Sequence, residues 1–532
     1  MISARRLPDV QPPPIRDSPE AVGPYLEDAS GAPRGTAAGL VRVSSEAEAA
    51  ALLRVTRERG TKILPQAARS SLTGGAIPHG EVVVSVEALR HTGPVTRQRA
   101  TFGAGLRLRE LQEHVARAGY YYPPVPTYQE AMIGGTASTN AGGAATFKYG
   151  VTRRWIHGLR LLLFNGDLLE IERGEAVARP GESFCVRLSD GAELSVPVPD
   201  YRLPDLKKIS AGYHASDPLD LVDLFVGSEG TLGLITAVTV ELVPKPPAVV
   251  TGLVFVGDEP RAFDLAVALR RAAEDARRRA DRDGPDVRAI EWLDPSCLEI
   301  LRRHGDARRL RIRLPDDARA GLLFEMELAE PTNNDQAAER LAAALNGGGT
   351  DRDDGLIRLF RILRDHDAVD DLEFAFPEDG HRHRALVELR EAVPQRVSEM
   401  LSQRPGVAKC AGDLIVPFER LREMMRIYEE GYVSRGLDYA VWGHLGDGNL
   451  HPNALPRDEA EGLRGTEALL EFAEQATRRG GCPLSEHGIG RNPIKQRMLR
   501  DFLGEGAINQ MRRIKSALDP DGRFAPGVLF SG

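Results

Sequence analysis

Two histidines in the C-terminal part of the chain are spaced so that they could bind one metal ion. His444 and His451 flank the segment Leu-Gly-Asp-Gly-Asn-Leu, whose two glycines and aspartate disfavour a helix. Asp-Gly is a strong signal for a two-residue hairpin turn. A turn centred on Asp447-Gly448 pairs 446 with 449, 445 with 450 and His444 with His451. Directly opposed residues have Cβ atoms about 4.5–5.5 Å apart, so the spacing predicts two imidazoles that share one cation.

A carboxylate and a further imidazole follow in Ser-Glu-His-Gly-Ile-Gly, residues 485–490. Glu486 together with His444 and His451 gives two imidazoles and one carboxylate, a three-ligand site with positions open for a substrate. This ligand set suits zinc, manganese or iron, and the sequence does not choose among them. The alternative is that these histidines are hydrogen-bonded core residues. For His444 and His451 together, the spacing favours the metal.

Glycine is dense in three segments that precede residue 244. They are residues 65–78 (PQAARSSLTGGAIP), 133–143 (IGGTASTNAGG, followed by KYG at 148–150) and 225–235 (FVGSEGTLGLI). Glycine lets the backbone approach a ligand closely, and successive N–H groups can then converge on phosphate oxygens. One such segment could be an ordinary tight turn, but three predict a long phosphorylated ligand. None fits the GxGxxG fingerprint at a strand-to-helix junction or the GxxxxGK[ST] phosphate loop.

Four of these motifs, in this order, resemble a known family. GGTASTNAGG, LFVGSEGTLGLIT, GHLGDGNLH (443–451) and SEHGIG (485–490) resemble the FAD-linked oxidases of the vanillyl-alcohol-oxidase/p-cresol-methylhydroxylase type. Within that family the chain is similar to the D-lactate dehydrogenase and glycolate-oxidase large-subunit branch, from about residue 39 to residue 530. The resemblance implies an α+β fold with a two-part FAD-binding domain and an α+β, ferredoxin-like substrate or cap domain.

The resemblance also assigns residues to the FAD. Those implied for the pyrophosphate loop are Ser70, Ser71, Thr73, Gly74 and Gly75. Those implied for the isoalloxazine and ribityl parts are Gly134, Gly135, Thr139, Asn140, Gly142 and Gly143, with Asn449 also near the flavin. Those implied for the adenosine half are Gly227, Glu229, Gly230, Thr231 and Ile235. An ordinary turn asparagine is the alternative for Asn449.

The pyrophosphate loop departs from the family pattern, which usually has glycine where this chain has Ala67, Arg69 and Ser71. If those positions need positive φ, each non-glycine residue costs roughly 1 kcal/mol or more. Arg69 could instead pair with a phosphate. The chain has no histidine in this loop or before it, so the covalent histidine–flavin link of some relatives is not expected and the FAD is expected to be non-covalent.

The chemistry implied by the resemblance is oxidation of a D-2-hydroxy acid of the D-lactate, glycolate or D-2-hydroxyglutarate class to the 2-oxo acid. The metal would bind the hydroxyl oxygen and lower its pKa, and His487 would take the proton. Hydride would pass to the flavin N5. Arg390, assigned on the resemblance, would bind the substrate carboxylate. Electrons would go to a separate acceptor, such as a quinone, a cytochrome or an electron-transfer flavoprotein.

Two other functions remain alternatives. One is an enzyme similar to alkylglycerone-phosphate synthase, which uses FAD without net oxidation. The intact GHLGDGNLH segment speaks against it, because that reaction has no evident need for a His–His–Glu metal site. The other is a non-catalytic flavin-binding subunit, which Ala67 and Arg69 favour slightly and Glu486 and His487 oppose.

The pattern of apolar residues and prolines predicts how the chain is organised. Leu108, Leu111 and Val115 lie on one face of a helix predicted over 108–118. After Pro244-Lys-Pro-Pro247, strand-like and helical segments alternate in a way that suits an α+β sheet with helices on one face. We expect a flexible arm over 1–24, an FAD-binding domain over 25–247, a substrate or cap domain over 248–480, and a C-terminal segment over 481–532 that returns to the flavin site.

Composition excludes several classes of protein. The 532 residues include 69 basic and 77 acidic side chains, for a net charge of -8, which argues against a general nucleic-acid binder. The four cysteines are far apart, with no CxxC pair, so a disulfide framework, an iron–sulfur ligand set and a thiolate zinc site are not expected. With no signal peptide and no integral membrane segment expected, the predicted location is cytoplasmic, with peripheral association with the inner face of the membrane as a second option.

Overall fold

The structure of the protein is a computed structural model, which describes residues 1–124, 128–345, 353–404, 407 and 409–530. The strands are β1 Ile2–Ser3, β2 Gly39–Arg42, β3 Ile63–Gln66, β4 Val82–Ser85, β5 Arg99–Gly103, β6 Tyr120–Tyr121, β7 Ile156–Leu162, β8 Leu168–Glu172, β9 Val177–Ala178, β10 Ser183–Arg187, β11 Glu193–Pro197, β12 Leu219–Asp220, β13 Leu234–Glu241, β14 Val243–Pro244, β15 Ala248–Val256, β16 Asp286–Leu293, β17 Ala320–Leu328, β18 Leu372–Ala375, β19 Cys410–Ala411, β20 Leu414–Ile415, β21 Tyr439–His444 and β22 Asn449–Ala454.

The helices are α1 Pro19–Val22, α2 Glu46–Glu58, α3 Leu108–Arg117, α4 Ile133–Thr139, α5 Thr146–Tyr149, α6 Thr152–Trp155, α7 Leu221–Phe225, α8 Glu259–Arg279, α9 Pro295–His304, α10 Asp306–Arg309, α11 Asn334–Leu345, α12 Gly355–Asp365, α13 Gly380–Ser402, α14 Phe418–Val433, α15 Glu459–Arg478 and α16 Pro493–Leu518. Short 3₁₀ turns occur at Gly23–Tyr25 and Leu445–Asp447.

The chain divides into two compact units, and it crosses between them more than once. Unit 1 contains residues 1–143, 151–244 and 482–532, and unit 2 contains residues 144–150 and 245–481. One crossing falls within the Pro244-Lys-Pro-Pro247 segment. Residues 144–150, which follow the second glycine segment, belong to unit 2, although the three glycine segments themselves lie in unit 1.

The described part of unit 1 contains three sheets of three or four strands, and two further pairs of strands, β9 with β12 and β6 with β14. The strands β2, β4 and β3 form a parallel sheet in that order, and β5, β13, β7 and β8 form an antiparallel one. A third sheet has the order β1, β10, β11. All four side chains of β4 are buried, which explains the uninterrupted valine run of this strand.

The first 24 residues differ from the flexible arm expected of them. Strand β1 pairs in parallel with β10, and Ile2, Ala4 and Leu7 are buried. These apolar residues are the physical reason that residues 2–7 pack within unit 1, whereas most of residues 8–20 are exposed.

The predicted amphipathic helix is confirmed as α3. Leu108, Leu111 and Val115 are its buried residues, and Gly119 follows its C-terminal end with φ of +80°, a conformation that glycine adopts without strain.

Unit 2 is organised around one antiparallel sheet with helices, so the mixed α+β class predicted from the sequence is confirmed. Its strand order is β18, β15, β17, β16, β21, β22 and β19, with β20 also paired to β22. Side chains of both orientations are buried along β15 and β17, so both faces of the sheet are covered at these strands. These strands are almost continuously apolar rather than alternating, as strands covered on both faces are.

Candidate active site

The three glycine segments of unit 1 contact one another through their main chains. The N–H of Gly227 donates to the carbonyl oxygen of Ala137 at 2.9 Å, and the N–H of Glu229 donates to that of Ser138 at 2.8 Å. These bonds join the third segment to α4, which is formed by the second. The second and third glycine segments are therefore adjacent in the fold of unit 1.

The first segment joins the other two by close backbone approach. A Cβ on Gly135 would lie 3.2 Å from the Cβ of Ala67, and one on Gly230, where φ is +73°, would lie 3.4 Å from the Cβ of Pro65. Two of the predicted cofactor-binding glycines therefore have a packing role between segments. The result is a set of three adjacent segments, one of them largely helix α4, with many small or absent side chains, which fits a cradle for an extended ligand.

The loop at residues 70–75 is organised by a serine hydroxyl. Ser71 Oγ accepts hydrogen bonds from the N–H groups of Thr73 and Gly75, both at 3.2 Å. Gly74 has φ of +73°, and Ser70 is exposed. The hydroxyl of Ser71 thus shapes the loop, whatever it contributes to a ligand.

Arg69 is where this loop departs most from the family pattern. Of the three non-glycine positions, only Arg69 has positive φ, at 58°. Its guanidinium lies 4.7 Å from the ring centre of Tyr25, and its Nη1 is buried without a hydrogen-bond partner among the described residues. A buried, unsatisfied cationic donor in a loop assigned to a pyrophosphate fits an anionic group.

Polar side chains of the second glycine segment form hydrogen bonds with main-chain groups. Asn140, with φ of 51°, accepts from the N–H of Arg153 at 2.9 Å and donates to the carbonyl of Ile209 at 3.1 Å. The Thr139 hydroxyl donates to the Gly135 carbonyl at 3.1 Å. These side chains hold the segment in place, which the sequence alone did not indicate.

Other predicted cofactor-binding residues are packed into unit 1. A Cβ on Gly134 would lie 2.5 Å from that of Ala104. Thr231 Oγ donates to the Ser228 carbonyl at 2.6 Å, and Ile235 is buried in β13. Gly143 is the residue at which the chain leaves unit 1 for residues 144–150.

Glu229 connects the third glycine segment to the turn at residues 485–490, which we call the His487 turn. Its carboxylate accepts from the N–H groups of Ile489 and Gly490, both at 2.8 Å. Burial raises the pKa of Glu229 to about 7, against the opposing effect of these two hydrogen bonds. The resemblance assigned Glu229 to the adenosine half of FAD, but within unit 1 its carboxylate fixes the His487 turn.

The His487 turn carries a carboxylate held between two nitrogens. Lys208 Nζ donates to Glu486 Oε2 at 2.7 Å, and Glu486 Oε1 lies 3.3 Å from His487 Nε2. The side chain of Lys208 is 0% exposed and that of Glu486 8%. Lys208 could not be singled out from sequence, because one of two adjacent lysines in a polar stretch is ordinarily a surface residue.

In unit 2, residues 439–454 form a hairpin that bears His444 and His451, and we call it the histidine hairpin. The predicted register is wrong: His444 pairs with Asn449 and Trp442 with His451. A 3₁₀ turn over Leu445–Asp447 followed by Gly448 at φ of 86° replaces the two-residue turn. The displacement is by two residues, so both imidazoles stay on one face, with ring centres 5.5 Å apart and planes at 88°.

His444 lies at one end of a buried chain of polar groups that also contains a carboxylate and a guanidinium. Its Nδ1 is 2.7 Å from Glu291 Oε1, and Glu291 Oε2 is 2.7 Å from Arg390 Nε. All three residues are buried, and Arg390 Nη2 has no hydrogen-bond partner among the described residues. A carboxylate on one imidazole nitrogen is typical of metal-binding histidines, with Nε2 as the nitrogen for the metal. Sequence reasoning missed Glu291, although a lone acid in the apolar run of β16 was a signal.

His451 and Asn449 share a second carboxylate, that of Asp413. The Nδ2 of Asn449 donates to Asp413 Oδ1 at 3.3 Å and to the Leu414 carbonyl at 2.9 Å. His451 Nδ1 lies 3.8 Å from Asp413 Oδ1. Asp413, which the sequence did not single out, is therefore an additional oxygen ligand candidate beside His451.

Two family models match the chain. Residues 265–529 match the C-terminal domain of FAD linked oxidases, and residues 37–172 match an FAD binding domain. The chain belongs to the FAD-linked oxidase family. It is an FAD-linked oxidoreductase, as the four motifs predicted.

Relatives of this FAD-linked oxidase align over nearly its whole length. Glycolate oxidase subunit GlcD of Bacillus subtilis (strain 168) is 27% identical over 495 residues, which covers 91% of this chain and 87% of that protein. D-2-hydroxyglutarate dehydrogenase of Stutzerimonas stutzeri (strain A1501) is 26% identical, with coverage of 90% and 88%. D-lactate dehydrogenase of Archaeoglobus fulgidus is 26% identical, with coverage of 92% and 90%.

A solved structure of alkyldihydroxyacetonephosphate synthase has the same fold as this FAD-linked oxidase. The TM-score is 0.60 over 97% of this chain and 87% of that one, at 15% identity. Identity this low shows the fold alone. Among the described residues, no helix combines the length and apolar character needed to cross a membrane.

Proposed function

We propose that this enzyme oxidises a D-2-hydroxy acid of the D-lactate, glycolate or D-2-hydroxyglutarate class to the 2-oxo acid, and passes the electrons to a separate acceptor such as a quinone, a cytochrome or an electron-transfer flavoprotein. The names of the three relatives support this class of substrate. FAD supplies the two-electron acceptor for the reaction.

The observation that carries the proposal is the buried chain Arg390–Glu291–His444. Arg390 and Glu291 form a buried ion pair at 2.7 Å, and the other oxygen of Glu291 lies 2.7 Å from His444 Nδ1. Burying charged groups is costly unless they are paired. The unsatisfied Nη2 of Arg390 is a donor for the substrate carboxylate. Glu291 fixes both the guanidinium and the imidazole, so one carboxylate orients the substrate-binding and the metal-binding side chain.

His444, His451 and Glu486 are the proposed ligands of a divalent zinc, manganese or iron ion. The pairing of His444 Nδ1 with Glu291 fits this role, and so does the 5.5 Å separation of the two imidazoles in unit 2. When bound, the metal would lower the pKa of the substrate hydroxyl. Asp413 is a further oxygen donor beside His451.

His487 is the proposed general base. Its Nε2 lies 3.3 Å from Glu486 Oε1, so this imidazole stands beside one of the proposed metal ligands. The side chain of His487 is 26% exposed, more than Glu486 or Lys208, so this imidazole is the accessible member of the group.

The test is an anaerobic titration of the purified, FAD-loaded protein with D-lactate, glycolate and D-2-hydroxyglutarate, followed by flavin absorbance. Bleaching of the flavin bands by one D-acid, and not by its L-enantiomer where one exists, is the expected result. Flavin bands unchanged by every acid in metal-loaded protein would reject the proposed reaction. Reoxidation of the bleached flavin by a quinone analogue, cytochrome c or an electron-transfer flavoprotein then identifies the acceptor.

A further inference from the structure

Lys208 is a buried cation that the sequence analysis did not single out and that has no role in the proposed reaction. It lies in unit 1 with 0% of its side chain exposed, and its Nζ donates to Glu486 Oε2 at 2.7 Å. An ammonium group is taken out of water at a large cost unless a counter-charge is fixed next to it. A lysine here is therefore specific for the carboxylate of Glu486.

The Lys208–Glu486 pair is packed closely against the backbone of Gly142. A Cβ on Gly142 would lie 3.1 Å from Lys208 Cε and 3.3 Å from Glu486 Oε2. Gly142 thus accommodates the lysine stem and the carboxylate together. The resemblance assigned this glycine to the flavin, but in unit 1 the absence of its side chain also allows the Lys208–Glu486 pair.

The two oxygens of Glu486 have different neighbours. Oε2 accepts from Lys208, whereas Oε1 lies 3.3 Å from His487 Nε2. Because Lys208 fixes one oxygen, rotation of the carboxylate about its last bond is restricted and Oε1 keeps one direction. Carboxylates that bind metals are commonly oriented by such a hydrogen bond to the non-ligating oxygen.

We propose that Lys208 is a positioning residue that orients Glu486 so that Oε1 is the oxygen offered to the metal, beside the imidazole of His487. This inference rests on the metal binding put forward in the proposed function. Lys208 touches neither substrate nor metal in this role and acts through Glu486 alone.

The experiment compares Lys208→Met with the adjacent Lys207→Met in FAD-loaded protein. Lys207 is exposed, so its substitution removes the same charge one residue away. Zn²⁺ and Mn²⁺ affinities are measured by competition with a chelator, and the flavin-to-protein ratio by absorbance. We expect Lys208→Met to weaken metal binding by about 10–100-fold with the flavin ratio unchanged, and Lys207→Met to match the wild type.

Lys208→Gln provides the second measurement, also if Lys208→Met does not fold. Gln can donate one uncharged N–H to Glu486, so an intermediate loss of metal affinity is expected. Unchanged metal affinity in either folded variant would overturn the inference, and so would equal losses of metal and FAD, which would indicate general loosening. A wild-type protein that binds no metal would instead reject the metal in the proposed function, and that outcome is visible without any variant.

Discussion

The histidine hairpin of unit 2 and the His487 turn of unit 1 both place an imidazole beside a buried carboxylate, but by different means. In the hairpin, β21 and β22 are paired along their length, and Glu291 comes from the neighbouring strand β16. In the turn, Glu486 and His487 are adjacent in sequence. Two side chains from elsewhere in unit 1, Lys208 and Glu229, hold the turn.

This difference predicts different responses to substitution. A backbone ladder spreads the stabilisation over many hydrogen bonds, so losing one side-chain contact leaves the hairpin in place. The turn has no such ladder. Beside its side-chain contacts it is joined to unit 1 by single main-chain bonds, such as that from the N–H of Leu529 to the Gly490 carbonyl oxygen at 2.9 Å, so each contact carries more of the stabilisation. Substitutions near the His487 turn should therefore change its geometry, whereas those near the hairpin should change ligand affinity with little change of geometry.

The largest effect is expected for the proposed base in the His487 turn. His487→Ala should lower the rate of flavin reduction by about 10²–10⁴-fold, the usual contribution of general acid–base catalysis, with FAD still bound. Rapid-mixing absorbance under anaerobic conditions measures this rate. His304→Ala, in the exposed last turn of α9, is the matched control. A rate within twofold of the wild type would remove His487 from the mechanism.

The next largest effect is expected for the buried carboxyl of Glu229, which holds the His487 turn. Burial raises its pKa to about 7, so folding favours the protonated carboxyl. The free energy of unfolding that this preference contributes is fully present below about pH 4.5 and is lost as the pH rises through 7. A shift of this size corresponds to up to about 3 kcal/mol. Glu229→Gln cannot ionise, so its stability relative to the wild type should increase between pH 5 and pH 8.

Calorimetric unfolding of the FAD-loaded proteins at pH 5, 6, 7 and 8 measures this difference. The exposed Glu172 of β8 provides the control variant, Glu172→Gln, which should follow the wild type at each pH. If the stabilities of Glu229→Gln and the wild type stay parallel over this range, Glu229 does not carry the burial penalty on which the prediction depends.

Much of this organisation was predictable from sequence, and the failures have physical causes. The glycine segments and α3 were found because glycine density and helical spacing are local signals. The hairpin was found, but its register was not. Asp-Gly suggested a two-residue turn, whereas Asp447 lies within a 3₁₀ turn and only Gly448 has positive φ. The histidines still share a face, because the error was an even number of residues.

Lys208, Glu291 and Asp413 could not be assigned a role from sequence alone. Each is a charged residue whose partner lies distant in the chain: Glu486 for Lys208, His444 for Glu291 and Asn449 for Asp413. Pairings of this kind arise from tertiary contacts, to which local patterns are insensitive. Single-sequence reasoning located the imidazoles, and the structure supplied the charged groups that orient them.

A smaller effect is expected at the carboxylate that serves the hairpin. Glu291→Gln keeps the shape but leaves Arg390 without its counter-charge and weakens the hold on His444 Nδ1. Metal affinity should fall by about 10–100-fold, while the circular dichroism spectrum of the whole protein stays unchanged. Glu388→Gln, a half-exposed carboxylate on the same helix as Arg390, should stay within about 0.5 kcal/mol of the wild type in stability.

The smallest effect concerns Arg69. Its loop is joined to the residue that follows the His487 turn by the hydrogen bond from the Arg491 N–H to the Thr73 carbonyl oxygen at 3.0 Å. Arg69→Gly removes the left-handed strain of an arginine at φ of 58°, worth about 1 kcal/mol, but it also removes the contact with Tyr25, worth about 0.5–1 kcal/mol. The stability of the FAD-free protein should therefore change by less than about 1 kcal/mol.

Arg97→Gly separates these contributions, because Arg97 has φ of 50° but is exposed. It should show the strain relief alone, as a rise in melting temperature of the FAD-free protein. If Arg69 pairs with a phosphate, Arg69→Gly weakens FAD binding several-fold in a fluorescence titration and Arg97→Gly does not. Equal FAD affinity in both variants would mean that the buried Nη1 of Arg69 has no part in holding the cofactor, and that the loop binds it through backbone groups alone.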